Sequence, residues 1–403
     1  MIKTCVILCG GYGTRLGSIT KKIPKPMVLV NQKPFLEHLL IQVRNLGIKK
    51  VFLLVGYKKE FIINYFKSGK KFGLKIEYSF SPAENKTAFR LNLIKNKIKE
   101  DFLLMYCDNY CPFNLKKHFF LHKKKQSLVT LSVCKKKNGN IKILSNGNIK
   151  YHIKRKRRND FVEIGYMICN QKFLKYINNR NINLNEYFID KKILDKISAV
   201  EIHNKYLSIS DQTRLFETRQ YFKKKNIILI DRDGVLNLKN INSRYVRNLS
   251  ELKMNDKIIS ILKKYPKMKY ICITNQAGVA TQDVTKFNLK KINKFIKIYL
   301  KRKNIKLIDF FISIDHFNSQ SFLRKPNPGN FLKAAKKYKL LLDKTFYVGD
   351  DPRDVLASYN SNTKCVYIGK KNSLNNIIKL YNIEDVILNN LSKTIHSKQN
   401  SIY

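Results

Sequence analysis

The sequence predicts two α/β domains joined near residue 220, and three observations carry that expectation. A chain of 403 residues exceeds what one ordinary core organises. In both halves, short apolar runs ending in glycine or aspartate alternate with stretches of helical periodicity, the pattern of largely parallel sheets. Residues 216–226, FETRQYFKKKN, are charged and lack a sustained apolar pattern, as linkers between domains do. The expected division is a first domain over 1–218, a linker over 219–226, a second domain over 227–390 and a flexible tail over 391–403.

Within the first domain, residues 3–9 read as a buried strand feeding the glycines at 10 and 11. Residues 35–46 carry helical periodicity and stop at Gly47. Strands follow at 51–55, 76–80 and 102–106, with a short helix at 61–66. From Ser127 the pattern changes to strands at 128–133 and 161–169, separated by a polar stretch holding a weak strand near 149–153. The second domain opens on the apolar strand 227–230. Strands at 270–274, 310–314 and 345–348 then alternate with helices at 258–264, 287–299 and 331–337. This is a doubly wound pattern, with acidic residues at the carboxyl ends of its strands, where such sheets bind ligands.

Apolar residues make up 44% of the chain, including 24 Phe and 22 Tyr, which is ample for two cores and excludes a disordered composition. The net charge of +52 raises the question of nucleic acid. The lysines are spread over the whole chain, however, and not gathered in a stripe, which argues against a nucleic-acid partner. A diffuse positive field still attracts anionic small molecules. The eight cysteines form no CxxC pair and sit in or beside apolar runs, as in a reducing compartment. With no signal peptide or membrane span read from the sequence, a cytoplasmic location is expected.

Gly10, Gly11 and Gly13 let backbone approach a ligand closely. Thr14 and Arg15 follow, and the Arg15 guanidinium suits phosphate. Pro24 and Pro26 bracket Lys25, which suggests a fixed ammonium. Taken together, GGYGTRLGSITKKIPKPMV at 10–28 resembles the signature of nucleoside-diphosphate-sugar pyrophosphorylases. The resemblance implies a Rossmann-like mixed sheet with a nucleoside triphosphate over Gly10, Gly11, Gly13 and Thr14. It makes Arg15 and Lys25 the catalytic contacts to the phosphates, and Asp108 a Mg²⁺ ligand. Glu163 and Tyr166, beside Gly165, would line the sugar pocket, and Lys154 or Lys156 would be the sugar-phosphate lysine. Two departures stand out. The base-pocket segment at 84–90 retains only Thr87 of the family pattern. A second metal-binding aspartate would fall at Ser208, with Asp211 nearby.

In the second domain Asp231 and Asp233 follow a strand directly. Carboxylates at i and i+2 can serve as phosphoryl nucleophile and as acid/base. Thr274 and Asn275 end another strand and can hold phosphoryl oxygens. Lys325 offers a charge, and Asp350 and Asp354 follow a third strand. Three carboxylates, a lysine and a hydroxyl at successive loop tips make a magnesium phosphohydrolase site. DRDGVLN, RYV at 244–246, TNQAGVA, RKPNPG and VGDDPRD resemble the haloacid dehalogenase superfamily. More narrowly they are similar to its histidinol-phosphate and heptose-bisphosphate phosphatases. The resemblance makes Asp231 the nucleophile and Asp233 the acid/base, with Thr274, Asn275 and Lys325 binding phosphate. It assigns Arg324 and Tyr245 to the substrate. Asp231, Asp233 and Asp350, with backbone of Arg232, would hold Mg²⁺. A minimal cap is implied. That group often carries a zinc loop of three Cys and one His, but here 313–325 keeps only His316, so no zinc is expected.

Jointly, the resemblances imply a bifunctional enzyme of nucleotide-activated heptose synthesis. Its phosphatase would remove the 7-phosphate of D-glycero-D-manno-heptose 1,7-bisphosphate. Its transferase would join heptose 1-phosphate to GMP from GTP, or to AMP from ATP. The alternatives are a histidinol-phosphate phosphatase, a phosphatase with a degenerate transferase, and a non-enzymatic nucleic-acid-binding or scaffolding protein.

Overall fold

The computed structural model describes residues 2–369 except 146, 158, 241 and 242. The tail expected over 391–403 and the end of the second domain lie outside the described residues. Contacts divide the chain into two compact units, Met1–Lys223 and Lys224–Tyr403.

The first unit is built on a nine-stranded sheet comprising β1 (Thr4–Cys9), β2 (Lys50–Val55), β3 (Lys75–Phe80), β4 (Phe102–Tyr106), β5 (Val129–Lys135), β6 (Ile141–Ile143), β7 (Ile149–Tyr151), β8 (Phe161–Cys169) and β9 (Ile197–Glu201). β1 pairs in parallel with β2 and β4, and β2 with β3. β8 runs antiparallel to β4 and β5, so the sheet is mixed. All six residues of β1 are buried. A strand covered on both faces needs apolar side chains in both directions, hence the unbroken run TCVILC.

The register between β8 and β5 shifts between Glu163 and Met167. Gly165 sits in this bulge at φ +75, where an added Cβ would lie 2.4 Å from the Tyr106 ring. A bulge re-aims neighbouring side chains, which decides the fate of Tyr166 below. The first half of the stretch expected to be a linker, residues 219–222, is instead the end of the helix Gln212–Phe222, which is capped by the Asp211 carboxylate and buries Leu215, Thr218, Tyr221 and Phe222. The helix Thr87–Asn92 was not foreseen either.

The second unit holds a five-stranded, all-parallel sheet: β10 (Ile227–Ile230), β11 (Lys269–Asn275), β12 (Lys306–Ser313), β13 (Phe346–Gly349) and β14 (Lys364–Tyr367), in the order β12-β11-β10-β13-β14. Tyr270 and Cys272 face one core while Ile271 and Ile273 face the other, as the two-residue period of a doubly covered strand requires. The carboxyl ends of β10, β11 and β13 meet at the reversal of strand order, the ligand crevice of such sheets. Among the described residues, the segment 238–254 contains no helix or strand, so the cap is minimal. No helix among the described residues is long and apolar enough to cross a membrane.

Candidate active sites

Two cavities adjoin in the first unit. One, of about 470 Å³, is walled by the glycine loop 10–14, Lys25 and the segment 83–87. The other, of about 440 Å³, is walled by Glu163, Gly165, Tyr151, Lys136, Arg155 and Arg214. Arg15, Tyr106 and Asp108 line both, so a group bound in one cavity can meet a group bound in the other beside Asp108. Gly13 is at φ +70, and an added Cβ would lie 2.8 Å from Lys25 Cβ. The glycine therefore lets Lys25 pack under the loop and reach the Asp108 carboxylate, with which it pairs.

Glu163 is driven up to about 7 by burial, against a hydrogen bond from the Tyr151 hydroxyl. Its Oε1 has no partner and the side chain lines the second of the two cavities. Tyr166, expected beside it, is fully buried. The bulge turns it away, and its hydroxyl donates to Gln42 Oε1 at 2.8 Å. Arg155 lines the cavity in place of the expected Lys154 or Lys156. Ser208 is buried and donates to Ser210 Oγ at 3.0 Å. Asp211 does not take its place, because its carboxylate caps the helix at Arg214 N, 2.9 Å away. Asp108 thus stands paired with Lys25, with no second carboxylate from the 208–211 segment. Those donors do not make a metal site of the expected kind.

A pocket of about 300 Å³ lies at the carboxyl ends of the second sheet. It gathers Asp231, Asp233, Tyr245, Thr274, Asn275, Arg324, Lys325 and Asp350, together with Lys239, Arg244 and Arg353. Lys325 Nζ stands 2.9 Å from Asp231 Oδ2 and 2.6 Å from Asp354 Oδ1, and donates to the Tyr347 hydroxyl at 2.9 Å. Burial opposes its charge, but the two carboxylates more than offset this and hold it protonated. Burial in turn raises Asp231.

Oxygens of Asp231, Asp350 and Asp354 lie within 4.8 Å of one another. Asp350 Oδ1 is buried without a hydrogen-bond partner. Both Asp354 oxygens are already used, Oδ1 by Lys325 and Tyr347 and Oδ2 by the amides of Asp350 and Asp351. An all-carboxylate set with a bare inward oxygen fits a hard cation such as Mg²⁺ and differs from the Cys/His sets that zinc takes. Asp350 Oδ1 is the bare oxygen of the set, Asp231 stands beside it with Oδ1 on the Arg232 amide and Oδ2 on Lys325, and Asp354 orients the lysine and the loop.

Two expected residues serve differently. The Asp233 carboxylate, expected on the metal, is instead gripped by Arg232 at 3.0 and 3.1 Å, by Asn237 at 2.9 Å and by Gln276 at 2.6 Å. Burial pushes this carboxyl up, but the guanidinium and these donors bring it below its usual range. Asn275, expected on phosphate, spends both amide atoms on the backbone of Lys325, at 3.0 Å each. It therefore fixes the lysine loop. Arg232 and Gln276 were not foreseen as this clamp, although both lie inside the motifs. His316, the remnant of the zinc pattern, accepts from Asn318 N at 3.2 Å.

A nucleotidyl transferase family model matches residues 4–212 and a haloacid dehalogenase-like hydrolase model matches residues 175–368. The shared stretch 175–212 folds with the first unit. The D-glycero-alpha-D-manno-heptose 1-phosphate guanylyltransferase of Campylobacter jejuni is 41% identical over 112 residues, 28% of this chain and 50% of that protein. The bifunctional protein GlmU of Methanococcus maripaludis is 43% identical over 103 residues, 26% of this chain and 24% of that protein. The matches thus span a quarter to a half of these relatives. The crystal structure of HddC from Yersinia pseudotuberculosis is similar at 23% identity and a TM-score of 0.49, over 55% of this chain and 100% of that one.

Proposed function

Because the chain belongs to the nucleotidyl transferase family and continues into a haloacid dehalogenase-like phosphatase domain, we propose that it is a bifunctional enzyme of nucleotide-heptose formation. The phosphatase half removes the 7-phosphate of D-glycero-D-manno-heptose 1,7-bisphosphate. The transferase half joins the resulting heptose 1-phosphate to a nucleotide, with GTP as the donor. The observation that carries the first activity is the set of buried Asp231 and Lys325 with half-buried Asp350 at the crevice. The heptose and GTP assignment draws on the guanylyltransferase relative, and a second phosphate is given to Arg244 and Arg324, which line the pocket beside the ion-paired Lys239, Lys325 and Arg353.

In the proposed phosphatase cycle, an Asp231 oxygen attacks phosphorus and the ester P–O bond breaks. The departing sugar oxygen takes a proton from solvent, because Asp233 is held ionised by its donors. A water molecule, giving a proton to the Asp233 carboxylate, then attacks the aspartyl phosphate and frees inorganic phosphate, and Asp233 returns that proton to solvent. Lys325 and the Thr274 hydroxyl offset charge on the phosphoryl oxygens. Asp231 and Asp350 would hold Mg²⁺, which would add charge compensation there. In the transferase half, a phosphate oxygen of the sugar phosphate attacks the α-phosphorus of the triphosphate and pyrophosphate leaves, with Arg15 and Lys25 countering the charge.

Phosphate release from heptose 1,7-bisphosphate and from histidinol phosphate tests the first assignment. Turnover of the heptose substrate should exceed that of histidinol phosphate, and Asp231→Asn should abolish both. A preference for histidinol phosphate would transfer the assignment to the amino-acid substrate. Undiminished release by Asp231→Asn would remove the nucleophile from the scheme.

A further inference from the structure

One buried side chain ties together the two walls of the triphosphate-side cavity. Arg90, on the helix Thr87–Asn92, is 3% exposed. Its Nε donates to Asn85 O at 2.9 Å. Nη1 donates to Val55 O at 3.1 Å and Ser81 O at 3.3 Å, and Nη2 to Gly10 O at 3.2 Å and Pro82 O at 2.7 Å. All these partners are carbonyl oxygens, and they come from the glycine loop, the end of β2 and the 81–85 loop. A guanidinium offers five N–H donors in a rigid fork, and here the fork bridges three separate segments.

The backbone makes room for it. A Cβ on Gly10 would lie 1.9 Å from Arg90 Nη1, and one on Gly56 would lie 2.8 Å from it. Gly10 and Gly56 thus serve the arginine at least as much as any ligand. At the rim the same two walls meet again, where the Tyr12 hydroxyl donates to the Glu84 carboxylate. Arg90, Gly10, Tyr12, Glu84 and Asn85 all border the cavity.

We propose that Arg90 is the positioning residue for the nucleoside triphosphate, fixing the glycine loop and the 81–85 loop as one preformed cradle and placing a buried positive charge beneath the phosphates. This rests on the transferase reading above. A lysine keeps the charge but cannot span the three segments, and a loosened cradle loses the benefit of preorganisation.

The test uses the full chain. Equilibrium dialysis with GTP and ATP, and pyrophosphate release with heptose 1-phosphate, are compared for wild type, Arg90→Lys and Arg90→Ala. Phosphate release at the Asp231 site reports whether the rest of the chain remains folded. Arg90→Lys should weaken triphosphate binding about tenfold or more, leave the KM for heptose 1-phosphate within about twofold, and leave phosphate release unchanged. Added guanidinium ion should partly restore binding in Arg90→Ala. Wild-type binding by Arg90→Lys, or equal rises in both KM values, would overturn the inference. Wild type that binds neither triphosphate would overturn the transferase reading and this inference with it, an outcome distinct from failure in the variants alone.

Discussion

Lys325 ties together the site at the end of the second sheet, its ammonium standing between the carboxylates of Asp231 and Asp354. Asp231, Lys325 and Asp350 were legible in the sequence because each follows an apolar strand or sits in a compact motif, and their partners were less so. Asn275 reads as a phosphate ligand from its position beside Thr274, but its amide is used on the Lys325 backbone. Nothing in the linear order announces that pairing across fifty residues. Arg90 was invisible for the same reason, since its partners are carbonyls that any residue type supplies. Two histidines outside the sites yield a prediction of their own. His118 and His122 are held down at about 4 by burial, and the Nε2 of each is buried without a partner. An unfolded imidazole takes up its proton near 6.5. Between that value and 4 the unfolded chain therefore binds more protons, and stability falls as the pH falls. Each should cost the first unit on the order of 1 to 2 kcal/mol between pH 7 and pH 5. Urea unfolding followed by circular dichroism should show this loss, with a smaller one in His122→Leu. Equal pH dependence in wild type and variant would contradict it.

At the scale of elements, most strands were legible, while β6, β9 and β14 and several helices were not. Strands β4, β8 and β10 begin and end where their apolar runs do. The last turn of the helix Gln212–Phe222 falls within the expected linker, and the helix is hard to read because its buried face includes Thr218, which is fully buried and donates to Ser208 O at 2.8 Å. A polar residue satisfied by a neighbouring segment breaks the apolar period without breaking the helix. The helix Pro352–Ser361 did carry a sequence signal, a capping box of Asp351 and Asp354 with Pro at its start. The turn after β10 shows how an element fixes chemistry. Gly234 has φ +88, and a Cβ there would lie 2.1 Å from Asp350 Oδ2. Gly234→Ala should strain the turn and displace Asp350, lowering phosphate release about tenfold or more while pyrophosphate release stays at the wild-type level. Unimpaired phosphate release would show that the turn can shift without moving the carboxylate.

At the scale of the whole molecule, the two-domain organisation was visible in the alternation of strands and helices, and the two units meet in sequence at Lys223 and Lys224. The large positive charge did not indicate function by itself. The cationic side chains that matter here are those the folds bring to cavities, such as Lys25 beside Asp108 and Lys325 between Asp231 and Asp354. If the two halves act in sequence, the product of the first is the substrate of the second. The most direct measurement supplies the full chain with heptose 1,7-bisphosphate, GTP and Mg²⁺ and follows phosphate, pyrophosphate and GDP-heptose together. Wild type should release all three. Asp231→Asn should release none, and Lys25→Ala should release phosphate while heptose 1-phosphate accumulates. GDP-heptose formed by Asp231→Asn from the bisphosphate, or pyrophosphate release by wild type no greater than by Lys25→Ala, would contradict the account.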